Sequence, residues 1–276
     1  MVESRLIGSY RALLPEVVAV RTPHSRLTGS VMAYVGMDLR LSSPLRRRSV
    51  ASATPMLMID FEAVVRRVSR LDGTAGAASV RSPVSGVLDT PADVELSGHH
   101  FGIGVCLTPP GAFALLDVPL HELANTPVRL ADILGERREQ RLVDRLASVP
   151  CWSGRFDLLD RLLPALLAAG PTPSEAVIHA WQRLNAASGR ILISTLADDA
   201  GVRRRRLEAL FREQVGATPK ALARILRFHK AFRLIGNESS NIGLAAVATA
   251  CGYSDQAHLT REVRALSGST PRCLRL

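Results

Sequence analysis

Arginine side chains are concentrated in one short stretch near the C-terminus of this 276-residue chain. Residues 203–206 are four consecutive arginines, and Arg212 follows within about two helical turns. A guanidinium group can donate paired hydrogen bonds to a guanine edge or bind phosphate oxygens, whereas a carboxylate can accept from cytosine. The spacing of Leu207, Leu210 and Phe211 predicts a helix that buries these three residues. On or beside its outer side lie the candidates for base contacts, which are Arg204, Arg205, Glu208, Ala209 and Arg212. The alternative is that the arginine run binds phosphate only.

A second stretch offers a similar set of polar side chains about fifty residues later. Leu259 and Val263 are four residues apart, which predicts another helix, and Ser254 is the expected N-cap. The base-contact candidates of this helix are Gln256, His258, Thr260 and Arg261, although His258 could equally contact phosphate or water. The phosphate-contact candidates stand at helix starts, where backbone N–H groups favour anions, and they are Arg203, Thr218 and Lys220.

These two stretches belong to a pattern that the chain contains twice. Each copy has Ala-x-x-x-Gly, then two apolar residues four apart, then Gly-x-Thr-Pro. The small alanine allows close helix crossing, the first glycine suits a left-handed turn, and Thr-Pro suits the start of another helix. The pattern predicts two helix-turn-helix units, and helical hairpins without a DNA role are the alternative. The copies consist of Ala197, Gly201, Leu207, Phe211, Gly216, Thr218 and Pro219, and of Ala248, Gly252, Leu259, Val263, Gly268, Thr270 and Pro271.

The region from about 175 to 275 resembles the DNA-binding domain of AraC/XylS-type regulators. The resemblance lies in LADDAGVRRRRLEALFREQVGATPKALARILRFHKAFRLI and in IGLAAVATACGYSDQAHLTREVRALSGSTPRCLR. It implies two helix-turn-helix units that enter adjacent faces of the major groove, joined by a longer helix over about Pro219–Ile235. It also implies base-reading positions at Arg205, Glu208 and Ala209. The chain departs from the family pattern at three positions. Arg203 stands where the family has a capping serine, Glu262 stands where it has an apolar residue, and Val263 stands where it has an aromatic residue.

The distribution of charge agrees with a C-terminal polyanion-binding module. The whole chain carries a formal net charge of +10. Residues 172–276 contain 16 basic and 8 acidic residues, whereas residues 1–171 contain 19 and 17. Most of the excess positive charge therefore belongs to the C-terminal region, as is typical of nucleic-acid-binding domains.

The first half of the chain has the sequence pattern of a β-rich domain. Short apolar segments between turns predict strands at 55–60, 77–81, 101–107 and 111–118, whereas helical periodicity predicts helices at 129–147 and 154–169. Residues 170–173 (GPTP) mark a boundary, after which Thr172, Pro173 and Glu175 predict a helix start with a capping box. The expected fold is α+β, with a β-rich sensor domain at 1–128, a helical linker or dimerisation segment at 129–171, and an all-α DNA-binding domain at 172–276.

The segment from His99 to Glu136 resembles the sensor half of a subset of such regulators, for which a cupin-like fold is one alternative. His99, His100 and His121 lack the ligand spacing of a metal site, and we expect no cofactor. Neither a phosphate-binding loop nor a nucleophile elbow occurs in the sequence, which indicates that the protein is not an enzyme. The four cysteines are scattered, so we expect them to be small buried residues in a reducing compartment. They are Cys106, Cys151, Cys251 and Cys273.

These observations predict a DNA-binding transcription regulator whose N-terminal domain senses a ligand or partner. The expected partners are double-stranded DNA, a small-molecule effector, a second copy of the chain and RNA polymerase. The N-terminal residues match neither a signal peptide nor a membrane span, so the expected location is the cytoplasm. Two alternatives remain: a DNA-alkylation-repair regulator with a methyl-accepting cysteine, and a cupin-like enzyme with a vestigial DNA module.

Overall fold

The computed structural model describes residues 17–62, 64–70, 78–236 and 242–274. In this part of the chain the strands precede almost all of the helices, and every strand pairing is antiparallel. The strands are β1 (Val17–Arg21), β2 (Val31–Ser49), β3 (Met56–Asp60), β4 (Val65–Arg70), β5 (Ala78–Ser79), β6 (Pro83–Ser85), β7 (Ala92–Leu107) and β8 (Val128–Arg129). The predicted strands at 55–60 and 101–107 are thereby confirmed. Only residues 78–79 of the predicted strand 77–81 are extended, and residue 77 lies outside the described residues.

Two long strands, β2 and β7, organise the sheet. The strand order is β1-β2-β7-β3-β6-β8, and β4 pairs with the first half of β7 while β5 pairs with β4. The register of β2 on β7 shifts between Leu41 and Leu45, opposite Gly98, which has a φ of +83°. Strand β7 pairs with β4 before this irregularity and with β3 after it, so its two halves belong to different parts of the sheet.

Helices cover one face of this sheet and complete the N-terminal core. They are α1 (Pro109–Leu116), α2 (Leu130–Leu134), α3 (Glu136–Ala147) and α4 (Trp152–Ala169), with a 3₁₀ helix at Leu120–Leu123. Tyr34 and Ile103 of the sheet pack with Leu146, Phe156 and Leu159 of α3 and α4. The apolar sides of these helices therefore stabilise the N-terminal domain itself.

The strand predicted at 111–118 is wrong, because residues 109–116 form helix α1. Thr108 caps this helix by accepting a hydrogen bond from the Gly111 amide, and two prolines occupy its first turn. Proline supplies no amide hydrogen but suits the first turn of a helix, so the Thr-Pro-Pro sequence fixes the helix start. The predicted helix over 129–147 is interrupted at Gly135, whose φ of +83° separates α2 from α3.

The C-terminal region consists of helices. They are α5 (Glu175–Ala186), α6 (Ile193–Asp199), α7 (Arg204–Val215), α8 (Pro219–Ile235), α9 (Leu244–Cys251) and α10 (Gln256–Ser267), followed by a 3₁₀ helix at Pro271–Leu274. The long helix predicted over 219–235 is confirmed as α8, with Thr218 accepting from the Ala221 amide. Among the described residues, no helix has the length and apolar character needed to cross a membrane.

Two predicted caps are wrong. Helix α5 begins at Glu175 with Ser174 as its N-cap rather than Thr172, and the Ser174 amide donates to Gln214 Oε1 at 2.8 Å. Helix α10 is capped by Asp255 rather than Ser254, since Asp255 accepts the His258 amide at 2.6 Å. Both helices therefore begin one or more residues later than the capping patterns predict, with Ser174 and Asp255 as their N-cap residues.

The N-terminal domain contributes residues to the C-terminal core. Ala51 and Val87 are buried in the same cluster as Phe228, Val247 and Leu266, although they follow β2 and β6 respectively. The Ala51 amide donates to the carbonyl oxygen of Leu266 at 2.8 Å. We call the contacts of residues 50–53 and 86–88 with the C-terminal helices the domain seam.

Candidate nucleic-acid interface

The first helix-turn-helix unit consists of α6 and α7. Leu196 and Ala197 of α6 are buried, and the turn passes through Gly201, which has a φ of +65°. On α7, Leu207, Leu210 and Phe211 are buried, as the apolar spacing predicts. The remaining side of α7 consequently points away from the core of the unit.

The polar side of α7 is exposed. Arg204, Arg205, Ala209 and Arg212 are exposed, whereas Glu208 is partly buried and forms an ion pair with Arg204, whose Nε lies 3.0 Å from Glu208 Oε1. The pairing makes the Glu208 carboxylate less available to cytosine. Within the described residues, Arg205 and Arg212 form no ion pair with a carboxylate. The base contacts of all five residues stay predictions.

The second unit consists of α9 and α10 and repeats this plan. Ala248 is buried at the helix crossing, Gly252 has a φ of +77°, and Leu259 and Val263 are buried on α10. Gln256 is exposed in the first turn of α10, and Arg261 is exposed on the side opposite Leu259 and Val263. Two internal repeats of the sequence therefore produce two structural repeats with polar side chains presented outward.

Two candidates of the second unit also make contacts within the protein. His258 Nδ1 lies 3.1 Å from the Ser254 hydroxyl oxygen, and the His258 ring packs edge-on against Tyr253. The Thr260 hydroxyl donates to the carbonyl oxygen of Gln256 at 2.9 Å. Backbone amide donation from His258 lowers the pKa of Asp255, so the cap is a carboxylate at neutral pH. In the described part of the chain, the side chains of the other two candidates, Gln256 and Arg261, form no such internal hydrogen bond.

Glu262 occupies a position where the family resemblance implies an apolar residue, and the structure gives it a partner. Arg224 Nε of α8 donates to Glu262 Oε2 at 2.6 Å, and the Glu262 side chain is 18% exposed. This ion pair joins the long helix to the second recognition helix. It supplies a contact that compensates for the missing apolar side chain.

The three phosphate candidates differ in their surroundings. Arg203 is the N-cap residue of α7 and forms no side-chain cap, as expected from the missing serine. Lys220 is exposed in the first turn of α8, where the hydroxyl of Thr218 already bonds to Ala221. Arg203 and Lys220 thus present charge at helix starts, and their contacts with phosphate stay predictions.

One exposed cation of the second unit was missed by reasoning from the sequence. Arg264 lies one turn beyond Arg261 on α10 and is exposed. Its spacing of three residues from Arg261 was the available signal, because such residues share a helix side. The two arginines extend the polar side of α10 toward its C-terminal end.

The histidines of the N-terminal domain make contacts other than metal ligation. His99 lies between two carboxylates, with Nδ1 2.8 Å from Glu62 and Nε2 2.7 Å from Asp38. His100 is buried beside the Arg66–Asp60 ion pair, and burial lowers its pKa. His121 is exposed. In the described ranges no three metal-ligating side chains are arranged to hold an ion.

The cysteines differ from the expectation that all four are buried. Cys106 and Cys251 are buried, and burial raises the pKa of Cys251, whereas Cys151 and Cys273 are exposed. Cys151 precedes α4, and a hydrogen bond with Ser153 lowers its pKa. Cys151 stands at the start of α4 and Cys273 in the final 3₁₀ helix. The exposure of these two cysteines therefore depends on where the helices lie, and not on the apolar residues around each cysteine in the sequence.

Comparison with known proteins agrees with this geometry. Residues 196–276 match a family described as "Helix-turn-helix domain", and residues 20–129 match a family described as "Domain of unknown function (DUF6597)". None of the curated proteins compared with the chain matches it. The helix-turn-helix match covers both structural repeats.

Three solved structures illustrate the similarity. An AraC-type DNA-binding transcriptional regulator of Chromobacterium violaceum is 27% identical, with 36% of this chain and 88% of that chain covered and a TM-score of 0.34. The C-terminal domain of AraT, a response regulator of Geobacillus stearothermophilus, is 20% identical, with 38% and 87% covered and a TM-score of 0.35. ToxT of Vibrio cholerae is 9% identical, with 87% and 97% covered and a TM-score of 0.43.

Residues 196–276 are a helix-turn-helix domain of the AraC type. The chain accordingly has an antiparallel β-sheet region before a helical region that contains this helix-turn-helix domain.

Proposed function

We propose that this protein is a DNA-binding transcription regulator of the AraC type, that it reads a specific operator with α7 and α10, and that its N-terminal domain modulates the reading. The observation that carries the proposal is the repeated exposure of polar side chains on two helices that each bury an apolar stripe. Arg205 and Arg212 are exposed on α7, and Gln256 and Arg261 on α10. Arginine suits guanine edges and glutamine suits adenine edges in the major groove. The exposed sides therefore have the chemistry of direct base readout.

The spacing of the two recognition helices depends on α8 and on the domain seam. The long helix separates the units, and the Arg224–Glu262 ion pair joins it to α10. Recognition helices that read one face of B-DNA in adjacent turns are about 34 Å apart. We infer that α8 supplies this separation and that the seam keeps it constant.

The N-terminal domain contacts both units, which supports its role in modulation. Ala51 is bonded to Leu266 at the end of α10, while α7 packs against α1 and the 3₁₀ helix at Leu120–Leu123. A small-molecule effector or a second copy of the chain that shifts either contact would alter the presentation of both helices to DNA. The protein acts in the cytoplasm by binding DNA and catalyses no reaction. RNA polymerase is the partner that we expect at a promoter.

The experiment is selection of duplexes from a random library, with the DNA upstream of the protein's own gene included. The wild type should enrich one sequence. Arg205→Ala and Gln256→Ala should each relax selection at one base position and weaken binding by about 1–3 kcal/mol. Arg137→Ala, which removes an exposed arginine of α3, is the control and should select the wild-type sequence. Enrichment of no sequence by the wild type would contradict the proposal.

A further inference from the structure

Three arginines of the N-terminal sheet share one exposed face. In the register of the sheet, Arg46 of β2 and Arg67 of β4 flank Glu95 of β7. The neighbouring row places Arg48 beside Asp93. Residues of paired strands in register point to the same face, so these side chains form one surface. We call Arg46, Arg48 and Arg67 the arginine strip, and it borders an open cleft of about 550 Å³.

The carboxylates beside the arginine strip neutralise it incompletely. Glu95 accepts from Arg46 at 2.8 Å and lies 3.8 Å from Arg67, so one carboxylate serves two guanidinium groups. Arg48 bonds to Asp93 at 2.9 Å. The side chains of Arg46 and Arg67 are 85% and 57% exposed. Each guanidinium has five N–H donors, which leaves donors of Arg46 and Arg67 directed to solvent and able to bind phosphate oxygens.

The arginine strip adjoins the C-terminal end of the second recognition helix, α10. Arg48 Nη1 donates to the carbonyl oxygen of Gly268, the residue that ends α10, at 3.3 Å. Arg261, Arg264 and Gly268 lie on one side of α10, since residues three, four and seven apart share a helix side. With a rise of 1.5 Å per residue, Arg261 is about 10 Å from Gly268 along the axis. Positive charge thus runs from the base-reading side of α10 onto the N-terminal sheet.

We propose that the arginine strip binds backbone phosphates of the DNA that flanks the site of the second unit. This inference rests on the proposed function, because it requires α10 to lie on DNA. Duplex DNA offers a phosphate charge about every 1.7 Å along its axis, so a duplex that continues past α10 would bring phosphates to the strip. The N-terminal domain would then add affinity without reading sequence, in the manner of other phosphate contacts.

The test compares two duplexes over a range of KCl concentrations, one of about 20 base pairs that contains only the sequence enriched by the wild type and one of about 40 base pairs that adds flanking DNA to that sequence. The shorter duplex accommodates two adjacent major-groove contacts, and the longer one also supplies a flank. The strip variant is Arg46→Ala/Arg67→Ala in the full chain. Arg48 is left unchanged because it also bonds to Gly268. The control is Arg137→Ala/Arg138→Ala on α3, which removes two exposed arginines and the same net charge.

The strip variant should bind the longer duplex about 5- to 10-fold more weakly in low salt. Its slope of log affinity against log salt should be shallower by about 2, because each lost phosphate contact changes the slope by about 0.9. Affinity for the shorter duplex should stay within twofold of the wild type, and the control should match the wild type on both duplexes. Thermal melting within about 2 °C of the wild type would show that the strip variant folds.

Other outcomes overturn the proposal in distinguishable ways. Unchanged binding of the longer duplex by the strip variant would overturn the phosphate contact of the arginine strip and leave the proposed function intact. An equal loss on both duplexes would place the effect inside the two-unit site and so contradict a flanking contact. Failure of the wild type to bind either duplex would overturn the strip together with the proposed function.

Discussion

The imidazole Nε2 of His229 lies 2.7 Å from the carbonyl oxygen of Ala51, and this bond joins the long helix α8 to the N-terminal domain. The amide of the same Ala51 donates to Leu266 of α10 at 2.8 Å. One fully buried residue of the N-terminal domain is therefore bonded to both the connecting helix and the second recognition helix. A displacement of Ala51 would have to break or move both bonds.

His229→Leu should destabilise the domain seam. Leucine fills a similar volume but cannot donate to the buried Ala51 carbonyl, and an unsatisfied buried acceptor costs about 1–3 kcal/mol. Urea unfolding should show this loss of unfolding free energy. His179→Leu is the matched control, because His179 is exposed on α5. Equal stability of the two variants would show that the His229 bond contributes nothing.

The pH dependence of stability should also involve His229. Burial lowers the pKa of His229 from its ordinary value of 6.5, because the charged ring loses hydration. The unfolded chain therefore binds more protons than the folded chain just below pH 6.5, and stability falls as the pH drops through that value. Each such group contributes at most about 1.4 kcal/mol per pH unit.

The measurement is the unfolding free energy at pH 7.5 and pH 5.5 for the wild type and for His229→Leu. The variant should lose less stability on acidification than the wild type. His100 has a pKa lowered mainly by burial and contributes with the same sign in both proteins, so the difference between them isolates His229. An identical loss in both proteins would contradict the prediction.

Two glycines with left-handed backbone should differ in their tolerance of alanine. Gly201 has a φ of +65°, and a Cβ there would meet no atom within 4 Å. Gly216 has a φ of +85°, and a Cβ there would lie 2.7 Å from the carbonyl oxygen of Leu120. Gly201→Ala should cost about 1 kcal/mol from backbone strain alone. Gly216→Ala should cost at least about 1 kcal/mol more in urea unfolding, and equal costs would show that Leu120 yields without penalty.

Arg203→Ser should change stability and DNA affinity in opposite directions. Arg203 forms no side-chain cap for α7, whereas serine can accept an amide hydrogen bond, which stabilises a helix by about 1 kcal/mol. The same change removes a cation proposed to bind phosphate, so affinity should fall and the salt slope should become shallower by about 0.9. Thermal melting and DNA titration measure the two effects. Arg203→Ala is the control and should lose affinity without gaining stability.

The elements of the DNA-binding region were predictable because the signals are local. Gly201 and Gly252 follow short helices and have positive φ, and Thr218-Pro219 begins α8 as the pattern indicates. Capping was less predictable, since Ser254 and Asp255 are adjacent residues that can both cap a helix. Only the folded geometry shows that Asp255 accepts the His258 amide while the Ser254 hydroxyl donates to Asp255. The strand predicted at 111–118 is wrong because the signal that starts helix α1 lies outside that apolar segment. Thr108 and the two prolines that follow it precede residue 111.

By itself the sequence determined the two helix-turn-helix units, the long helix between them and the polar sides of α7 and α10, because apolar spacing and turn residues act over a few positions. Only the tertiary structure decided that Ala51 joins the C-terminal core and that Glu262 pairs with Arg224. It also brought Arg46, Arg48 and Arg67 to one cleft and bonded Arg48 to Gly268. The Arg224–Glu262 and Arg48–Gly268 contacts join residues 38 and 220 positions apart, so they arise from tertiary packing, for which a local pattern carries no signal.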